Sequence, residues 1–196
     1  MQLRLWIVLL SLLVAGLVSG GAAAYFSDGA QNIDDSFATA ASWSEPTLLD
    51  DGFEGDPWDV NWDDNGNTSW QQSSNQVHSG SWSAFCGQGG GNPITTDDLD
   101  TSSACWIRVS FWYRPDSLDE GDILVQIYNG STYNTWYDIT NYPSHASGQW
   151  CYFSEYITDS QYFKSNFSLR LDGAGLIEGT ESFYLDDVLI YMLTVP

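Results

Sequence analysis

The segment CWIRVSFWYR at residues 105–114 alternates between two kinds of side chain along its length. Every second residue from Ile107 to Tyr113 is apolar or aromatic, whereas Arg108 and Ser110 stand on the opposite side of an extended chain. Successive side chains of a β-strand point to opposite faces, so this alternation is typical of a strand with one buried face. We therefore predict a long strand here.

Shorter runs with the same alternation lie on both sides of this strand, separated by clusters of Gly, Asn, Asp and Pro. No segment after residue 24 has the apolar spacing of a useful helix. Short strands with turn residues between them indicate an all-β sandwich or barrel. The other predicted strands are residues 66–72, 79–86, 123–128, 132–140, 149–157, 166–172 and 182–192.

The first residues have the layout of a secretory signal. Arg4 precedes an apolar run that ends at Val18, and small residues follow up to Tyr25. This order predicts cleavage just before Tyr25. A retained transmembrane helix is the alternative, because uncharged residues continue past that site and a span needs ~20 residues. We predict a signal helix at 1–24, a polar arm or linker at 25–49 and one β-domain at 50–196.

The composition is strongly acidic, with 26 Asp and Glu against five Lys and Arg and a net charge of −21. Such a surface repels nucleic acid phosphates and anionic lipids, so we expect no nucleic acid partner and membrane contact only through the signal segment. The same surface favours divalent cations. Three Asn-x-Ser/Thr sequons fit an exported, glycosylated chain, and they lie at Asn67, Asn129 and Asn166.

The chain has three cysteines, Cys86, Cys105 and Cys151. In an oxidising compartment one pair could form a disulfide and leave an odd thiol. Cys86 and Cys105 flank one short loop and are the candidate pair. The alternative is that all three are buried small apolar residues.

Acidic residues stand beside strongly apolar strand residues at both ends of the domain. Asp51 and Glu54 lie in DDGFEGDPW, and Asp186 and Asp187 lie in YLDDVLI. Carboxylates that face a sandwich interior are costly unless they are paired or hold a cation, and oxygen ligands of this kind suit Ca²⁺. One ion could join both ends of the chain if the first and last strands are neighbours. The alternative is that these residues only cap strands.

Several short motifs occur in an order that is known from a group of β-domains. They are FEG at 53–55, HSGSWSA at 78–84, VSFWYR at 109–114, QW at 149–150 and FYLDDVLI at 183–190. From about Asp50 to Met192 the chain resembles the jelly-roll carbohydrate-binding modules of families 4, 9 and 22 and related MAM-type domains. The resemblance implies a jelly-roll β-sandwich of antiparallel strands.

In that group a structural calcium usually lies near the motifs at the two ends. Carried over to this sequence, the resemblance implies Glu54 and Asp187 as calcium ligands. Asp51 and Ser81 are implied helpers, Ser81 through its backbone, and Asp186 is the alternative to its neighbour. These would be structural ligands and not catalytic ones.

A sugar site in such a module needs exposed aromatic rings that stack on pyranose faces, with planar polar groups beside them. The polar side of the predicted central strands offers this mixture. The alternative is that these aromatic residues cover the far side of the sandwich or contact a loop. The candidate sugar face consists of Arg108, Trp112, Gln126, Tyr128, Trp136 and Arg170.

The sequence carries few groups for catalysis. It has no G-x-S-x-G motif, and its two histidines are His78 in the HSGS turn and His145 in a loop with Pro and Ser. We expect a structural role for His78 and a solvated position for His145. Zinc sites draw on His or Cys clusters, and the closely spaced carboxylates of jelly-roll glycosidases are not evident. We therefore expect no enzymatic activity.

The stretch AAAYFSDGAQNIDDSFATA at 22–40 resembles the cleavage region of proteins processed by SipW-type signal peptidases, the class that includes TasA and camelysin. Members of that class often assemble into extracellular fibres. The leading hypothesis is a secreted or cell-surface, calcium-stabilised module that binds a polysaccharide or surface glycan. The second hypothesis is a structural subunit of an extracellular fibre or biofilm matrix, in which residues 25–43 add as a strand to a neighbouring copy.

Overall fold

The alternating segments form eleven β-strands in the computed structural model, which describes residues 44–63, 69–87, 89, 93–177 and 179–194. The strands belong to two antiparallel sheets, and two short 3₁₀ helices, Ile139–Asn141 and Ser160–Tyr162, lie in the connections. In chain order the strands are β1 (Thr47–Asp51), β2 (Trp62–Asp63), β3 (Trp70–Ser73), β4 (Ser83–Gly87), β5 (Ile94–Thr96), β6 (Ala104–Asp116), β7 (Leu124–Tyr128), β8 (Tyr133–Asp138), β9 (Cys151–Ile157), β10 (Leu169–Asp172) and β11 (Ser182–Thr194).

Sheet A contains six strands. Five of them follow the order β3-β4-β11-β6-β9, and β1 also pairs with β11. The long strands β6 and β11 form its centre and pair antiparallel from Asp116 and Ser182 at one end to Ala104 and Thr194 at the other. Because β1 pairs with β11, the first and last strands of the domain are neighbours, which is the condition set for a link between the two ends.

Sheet B contains five strands in the order β2-β5-β10-β7-β8. Its strands are shorter, and β10 pairs with β7 from Leu169 opposite Ile127 to Asp172 opposite Leu124. The hydrophobic core lies between the inner faces of the two sheets. The outer faces of sheets A and B therefore look in opposite directions.

The core follows the alternation of the sequence. On β6, every second residue from Ile107 to Tyr113 is fully buried, and Val125 and Ile127 on β7 fill the space from the other sheet. Burying one large apolar side chain contributes about 1.5–3 kcal/mol to the free energy of unfolding. The pattern that predicted the strands is thus the pattern that holds the sheets together, and the predicted all-β sandwich is confirmed.

The N-terminal predictions fall mostly outside the described residues. The signal helix at 1–24, the SipW-like cleavage region and the donor segment 25–43 all lie there, and they stay predictions. Strand pairing starts before the predicted domain boundary at residue 50, because β1 begins at Thr47 and Ser44 forms an isolated bridge with Thr194. Across the part of the chain that is described, no helix is long and apolar enough to cross a membrane.

The predicted disulfide between Cys86 and Cys105 is wrong, because the two residues lie at distant points of sheet A. Cys86 lies opposite Phe183 of β11, and Phe183 lies opposite Pro115 of β6. Cys105 is ten residues from Pro115 on the same strand, which is about 33 Å at the rise of a β-strand. A disulfide needs Cα atoms less than about 7 Å apart. The described residues contain no disulfide, and Cys86 and Cys151 are buried, whereas Cys105 is exposed.

Two of the three sequons lie in described turns. The side chain of Asn129 accepts hydrogen bonds from the backbone N–H groups of Ser131 and Thr132, at 2.9 and 3.0 Å. Asn166 is half-buried in the turn before β10. Asn67 lies outside the described residues. Glycosylation at these positions stays a prediction.

Candidate functional site

The six residues of the predicted sugar face do not share one surface. Arg108 and Trp112 lie on β6 in sheet A, whereas Gln126, Tyr128 and Arg170 lie on β7 and β10 in sheet B. The outer faces of the two sheets are on opposite sides of the core, so the predicted single face is wrong. Alternation shows which residues share a side of one strand, but it does not show which strands share a sheet.

Trp136 is not part of the predicted face either, and the reason is a β-bulge. The register between β7 and β8 shifts at this point, so that Gln126 pairs with Thr135 and Val125 pairs with Tyr137. Trp136 is the unpaired residue of this β-bulge, and its ring packs edge-on against the core ring of Phe153 at 5.6 Å. The bulge turns the indole towards the core, where it cannot stack on a ligand.

Sheet B carries a row of polar side chains across its outer face. The register places one residue from each of its strands in this row, in the order Asp63, Thr95, Arg170, Gln126 and Thr135. Tyr128 and Tyr133 pair in the next row of the same face, with ring centroids 5.1 Å apart. These seven residues are called the polar face below.

Arg170 is held at the centre of the polar face by two neighbours. Its Nη2 lies 3.1 Å from Oδ2 of Asp172, which forms a salt bridge, and its guanidinium lies over the ring of Tyr133 at 4.8 Å from the centroid. These contacts fix the plane of the guanidinium. Its Nε is buried and has no hydrogen-bond partner among the described residues.

Gln126 lies next to Arg170 in the row. Arg170 lacks an acceptor for its Nε, and Gln126 lacks a donor for its Oε1. Its Nε2 donates to Oγ1 of Thr135 at 3.4 Å, whereas its Oε1 is buried without a partner in the described part of the chain. Buried polar atoms are almost always hydrogen-bonded in native proteins, so two adjacent exceptions point to a missing partner. The polar face thus holds, just beneath its surface, one N–H donor and one carbonyl acceptor that have no partner among the described residues, beside two tyrosine rings.

The sequence-based prediction missed Tyr133, which orders this site. Its ring supports Arg170, and its hydroxyl forms a 2.9 Å hydrogen bond with Oγ of Ser168. The alternation of YNTWYD placed Tyr133 and Thr135 on one side of β8. That signal was present, but the bulge at Trp136 breaks the alternation in the middle of the strand.

The acidic residues proposed as calcium ligands converge around Gly52 at the paired ends of the chain. A Cβ atom added to Gly52 would lie 3.6 Å from Oδ1 of Asp187 and 3.9 Å from Oδ1 of Asp186. The cluster of Asp51, Glu54, Asp186 and Asp187 with the turn His78–Trp82 is called the terminal clasp below. It links β1 and β11 to the turn before β4.

In the terminal clasp, Asp51 is buried and its oxygens are occupied by protein donors. Oδ1 accepts the backbone N–H of Phe53 at 2.8 Å, and Oδ2 accepts Asn61 Nδ2 at 3.0 Å and Trp62 Nε1 at 2.9 Å. Charge-assisted hydrogen bonds of this type are about twice as strong as neutral ones. Asp51 therefore anchors the loop after β1.

Asp186 is fully buried and accepts three backbone N–H groups. Oδ2 is 2.8 Å from the N–H nitrogen of His78 and 3.2 Å from that of Ser79, and Oδ1 accepts the N–H of Asp187 at 2.8 Å. Burial raises the pKa of this carboxyl above its ordinary value, although the hydrogen bonds from His78 and Ser79 oppose the shift. Asp186 thus fixes the HSGS turn against β11.

Asp187 points its carboxylate at the same turn from the next position. It has a φ of 49° at the irregularity between β11 and β6, a left-handed conformation that is uncommon for a residue other than glycine. Its Oδ1 accepts the hydroxyl of Ser79 at 2.6 Å, and its Oδ2 lies 2.6 Å from Nδ1 of His78. The imidazole of His78 stacks on Trp112 at 3.9 Å, which supports the expected structural role of His78.

Glu54 completes the terminal clasp from the first end of the chain. Its Oε1 accepts the backbone N–H groups of Ser81 at 2.8 Å and Trp82 at 2.9 Å. Gly80 has a φ of 66°, and a Cβ atom there would lie 2.3 Å from Glu54 Oε1. Only glycine allows the carboxylate to approach the turn so closely.

As arranged, these residues do not fit a calcium site. Among the described residues, no group of three or more His, Cys, Asp or Glu side chains is placed to hold a metal ion. The oxygens of Asp51 and Asp186 accept N–H groups, and Ser81 contributes an N–H donor where a carbonyl ligand was implied. Protein donors thus occupy the positions in which a cation was expected. Calcium stabilisation stays a prediction from the sequence.

His145 differs from its expected solvated position. It is half-buried, its ring lies 6.5 Å from that of Tyr113, and its Nδ1 is buried without a partner in the described chain. Tyr113 is fully buried, and its hydroxyl has no hydrogen-bond partner of ordinary geometry among the described residues, although it lies near Ser144 and Cys151. Burial raises the pKa of Tyr113 to about 12. We assign no chemistry to this pair.

Comparison with known proteins supports the architecture. The chain is similar to the CBM22-1 xylan-binding domain of Xyn10C from Paenibacillus barcinonensis, at 16% identity and a TM-score of 0.51, over 81% of this chain and 99% of that one. It matches the CBM22-1–CBM22-2 tandem of the same protein at 16% identity and a TM-score of 0.53, over 81% of this chain and 49% of the tandem. The K3 cleaved adhesin domain of Lys-gingipain from Porphyromonas gingivalis w83 matches at 17% identity and a TM-score of 0.50, over 76% of this chain and 99% of that one.

At these identities the similarity shows a shared fold. The fold is that of carbohydrate-binding modules, as the motif order suggested. No protein-family model and no curated protein matches the chain. Any function must therefore be argued from the site itself.

Proposed function

We propose that this protein is a non-catalytic carbohydrate-binding module that holds a neutral polysaccharide on the polar face of sheet B. One observation carries the proposal. Arg170 and Gln126 are paired neighbours in sheet B, and the Nε of the first and the Oε1 of the second are both buried without hydrogen-bond partners among the described residues. A small movement of the side chains around these two atoms would let sugar hydroxyls accept from the N–H group and donate to the carbonyl oxygen.

The charge balance of the polar face favours a neutral ligand. Asp172 neutralises the guanidinium of Arg170, so that the arginine acts there as an oriented donor and not as a free positive charge. Tyr128 and Tyr133 offer aromatic rings beside these polar groups. Rings for stacking combined with a few placed polar groups are the usual design of a sugar site. A similar fold is named as a xylan-binding domain, which makes xylan the first polysaccharide to test.

The contacts made by the carboxylates also favour a binding role over catalysis. Glycoside hydrolysis needs two carboxyl groups that flank the scissile bond, one to give a proton and one to act as base or nucleophile. Next to the polar face, Asp172 is engaged with Arg170. The oxygens of Asp51 and Asp186 in the terminal clasp are engaged with backbone or side-chain N–H groups. These carboxylates hold neighbouring groups of the fold in place.

An extracellular location follows from the same proposal. Plant cell-wall polysaccharides such as xylan lie outside the cell, and the signal-like first 24 residues fit export. Export, and assembly through residues 25–43, are separate predictions that need their own tests. The sugar proposal depends on neither.

Affinity electrophoresis tests the proposal. The purified protein is run through native gels that contain xylan, mannan or mixed-linkage β-glucan, together with the Arg170→Gln and Gln126→Ala variants. Arg108→Gln, on the opposite sheet, is the matched control. We expect at least one neutral polysaccharide to retard the wild type and the control equally, and both polar-face variants to migrate freely. Equal retardation of all four proteins would show that the polar face is not the site.

A further inference from the structure

The outer face of sheet A carries a second concentration of aromatic residues. Its floor is a row of small or aliphatic residues, in which Ser110 of β6 pairs with Ser154 of β9 on one side and with Leu189 of β11 on the other. Aromatic residues stand in the rows on both sides of this floor. The arrangement is called the aromatic trough below.

One wall of the aromatic trough is formed by Trp112 and Tyr152, whose ring centroids are 5.0 Å apart. The other is formed by Trp106 and Tyr156, whose centroids are 5.1 Å apart. Tyr152 and Tyr156 are four residues apart on β9, so the walls are separated by about 13 Å along the strand. These two tyrosines are 40% and 53% exposed, which leaves their rings open to a ligand.

Arg108 stands in the second wall and is held in a fixed orientation. Its Nε donates to Oγ of Ser154 at 3.0 Å, and its Nη1 donates to the hydroxyl of Tyr191 at 2.7 Å. Its guanidinium also lies over the rings of Tyr156, at 5.4 Å, and Tyr191, at 5.7 Å. An arginine placed this way is positioned before any ligand arrives.

Arg108 has no carboxylate partner in the described part of the chain, unlike Arg170 with Asp172. This is notable in a chain with 26 Asp and Glu and five Lys and Arg. The floor row continues from Leu189 of β11 to Asp50 of β1. This acid is therefore two strands away from β6, which carries Arg108. At physiological salt the Debye length is about 8 Å, so more distant acids act only weakly on an anion bound at Arg108.

We propose that the aromatic trough is a second glycan-binding site, which takes an acidic polysaccharide and pairs a uronate carboxylate with Arg108. The exposed faces of Tyr152 and Tyr156 stack on the sugar rings, and the guanidinium supplies the fork geometry that matches a carboxylate. The polar face lies on the other sheet, so the two sites work independently. One molecule can then hold a neutral and an acidic chain together, which is the property of a matrix crosslinker.

The test compares two ligands that differ at one group, which is a carboxylate in the first and its uncharged methyl ester in the second. Affinity electrophoresis is run with polygalacturonate and with its methyl-esterified form, on the wild type and on Arg108→Gln and Tyr156→Ala. Arg170→Gln is the control on the opposite face. We expect polygalacturonate to retard the wild type and the control, and the ester to retard them far less. Arg108→Gln should weaken the affinity about tenfold or more, as the loss of a charged hydrogen bond does.

Several results would overturn the proposal. Equal retardation by the acid and the ester would remove the role of Arg108, and loss of retardation only in Arg170→Gln would place the acidic ligand on the polar face. If Tyr156→Ala changes the sedimentation coefficient and not the retardation, the trough is an interface between copies of the chain. If Arg108→Gln fails to fold, Tyr156→Ala still decides the matter. If polygalacturonate does not retard the wild type, the proposal of an acidic-glycan site is wrong. The proposal of a neutral-glycan site on the polar face is tested separately.

Discussion

The guanidinium of Arg170 lies over the ring of Tyr133 at 4.8 Å, although the two residues come from strands that are not neighbours in sheet B. Arg170 belongs to β10 and Tyr133 to β8, with β7 between them. The contact therefore spans the strand that carries Gln126. It orients the arginine towards the outside of the sheet.

This relationship predicts that the ring of Tyr133 matters for binding and that its hydroxyl does not. Tyr133→Phe keeps the ring and loses only the hydrogen bond with Ser168. We expect it to bind neutral polysaccharide as the wild type does. Tyr133→Ala removes the support under Arg170 and should lower the association constant roughly fivefold, since such ring contacts contribute about 1 kcal/mol. Isothermal titration calorimetry measures both, and a weaker Phe variant would contradict the assignment.

Asp186 is predicted to be the most important single side chain of the terminal clasp. Asp186→Ala removes the charged acceptor of three part-buried backbone N–H groups, at a cost on the order of 3 kcal/mol. For a domain of this size that corresponds to a fall in Tm of about 6–12 °C. Asp186→Asn keeps one acceptor oxygen, so its Tm should lie between that of the wild type and that of Asp186→Ala. A thermal melt of Asp186→Ala that matches the wild type would show that the clasp is dispensable.

The donor pattern of the terminal clasp also bears on calcium. Because N–H groups already occupy the oxygens of Asp51 and Asp186, we expect EDTA to leave the Tm of the wild type unchanged. Asp187→Ala is the matched control, since it removes the residue that the family resemblance implies as a ligand. A drop in Tm on chelation that is absent in Asp187→Ala would instead show that calcium binds and that the hydrogen bonds of the clasp rearrange around it.

Tyr113 predicts a specific loss of stability at high pH. Burial raises its pKa to about 12 from 10.0. Between these values the unfolded chain has lost the phenol proton and the folded chain still holds it, so stability falls as pH rises. The loss is about 1.4 kcal/mol for each pH unit in that window.

Tyr113→Phe isolates this effect. At pH 7 we expect it to be as stable as the wild type or slightly more so, because the buried hydroxyl has no hydrogen-bond partner among the described residues. Above pH 10 its urea midpoint should fall less than that of the wild type. Parallel midpoints from pH 9 to pH 12 would disprove the assignment.

The strands and the core could be predicted from the sequence because both depend on local alternation. The alternation in residues 105–114 predicted the buried face correctly, because every second residue from Ile107 to Tyr113 is in the core. The pairing of β1 with β11 meets the condition set for a link between the two ends, but the alternation in the sequence did not predict it.

The site could not be predicted in the same way, because it depends on which strands pair. Arg108 and Arg170 each stand on the side of their strand that points away from the core. Because the two strands belong to different sheets, the two arginines lie on opposite faces of the sandwich. A single bulge removes Trp136 from the polar face. The loss of the predicted Cys86–Cys105 bond has the same origin, since sequence proximity does not give the register between β4, β11 and β6.

The most direct test of the central claim is a ¹H–¹⁵N chemical-shift titration with the oligosaccharide of whichever neutral polysaccharide retards the protein most. The polar face predicts that the shift changes centre on Gln126, Tyr133 and Arg170 in sheet B. Changes centred on Trp112 and Tyr156 of sheet A, or no changes with any neutral oligosaccharide, would contradict it.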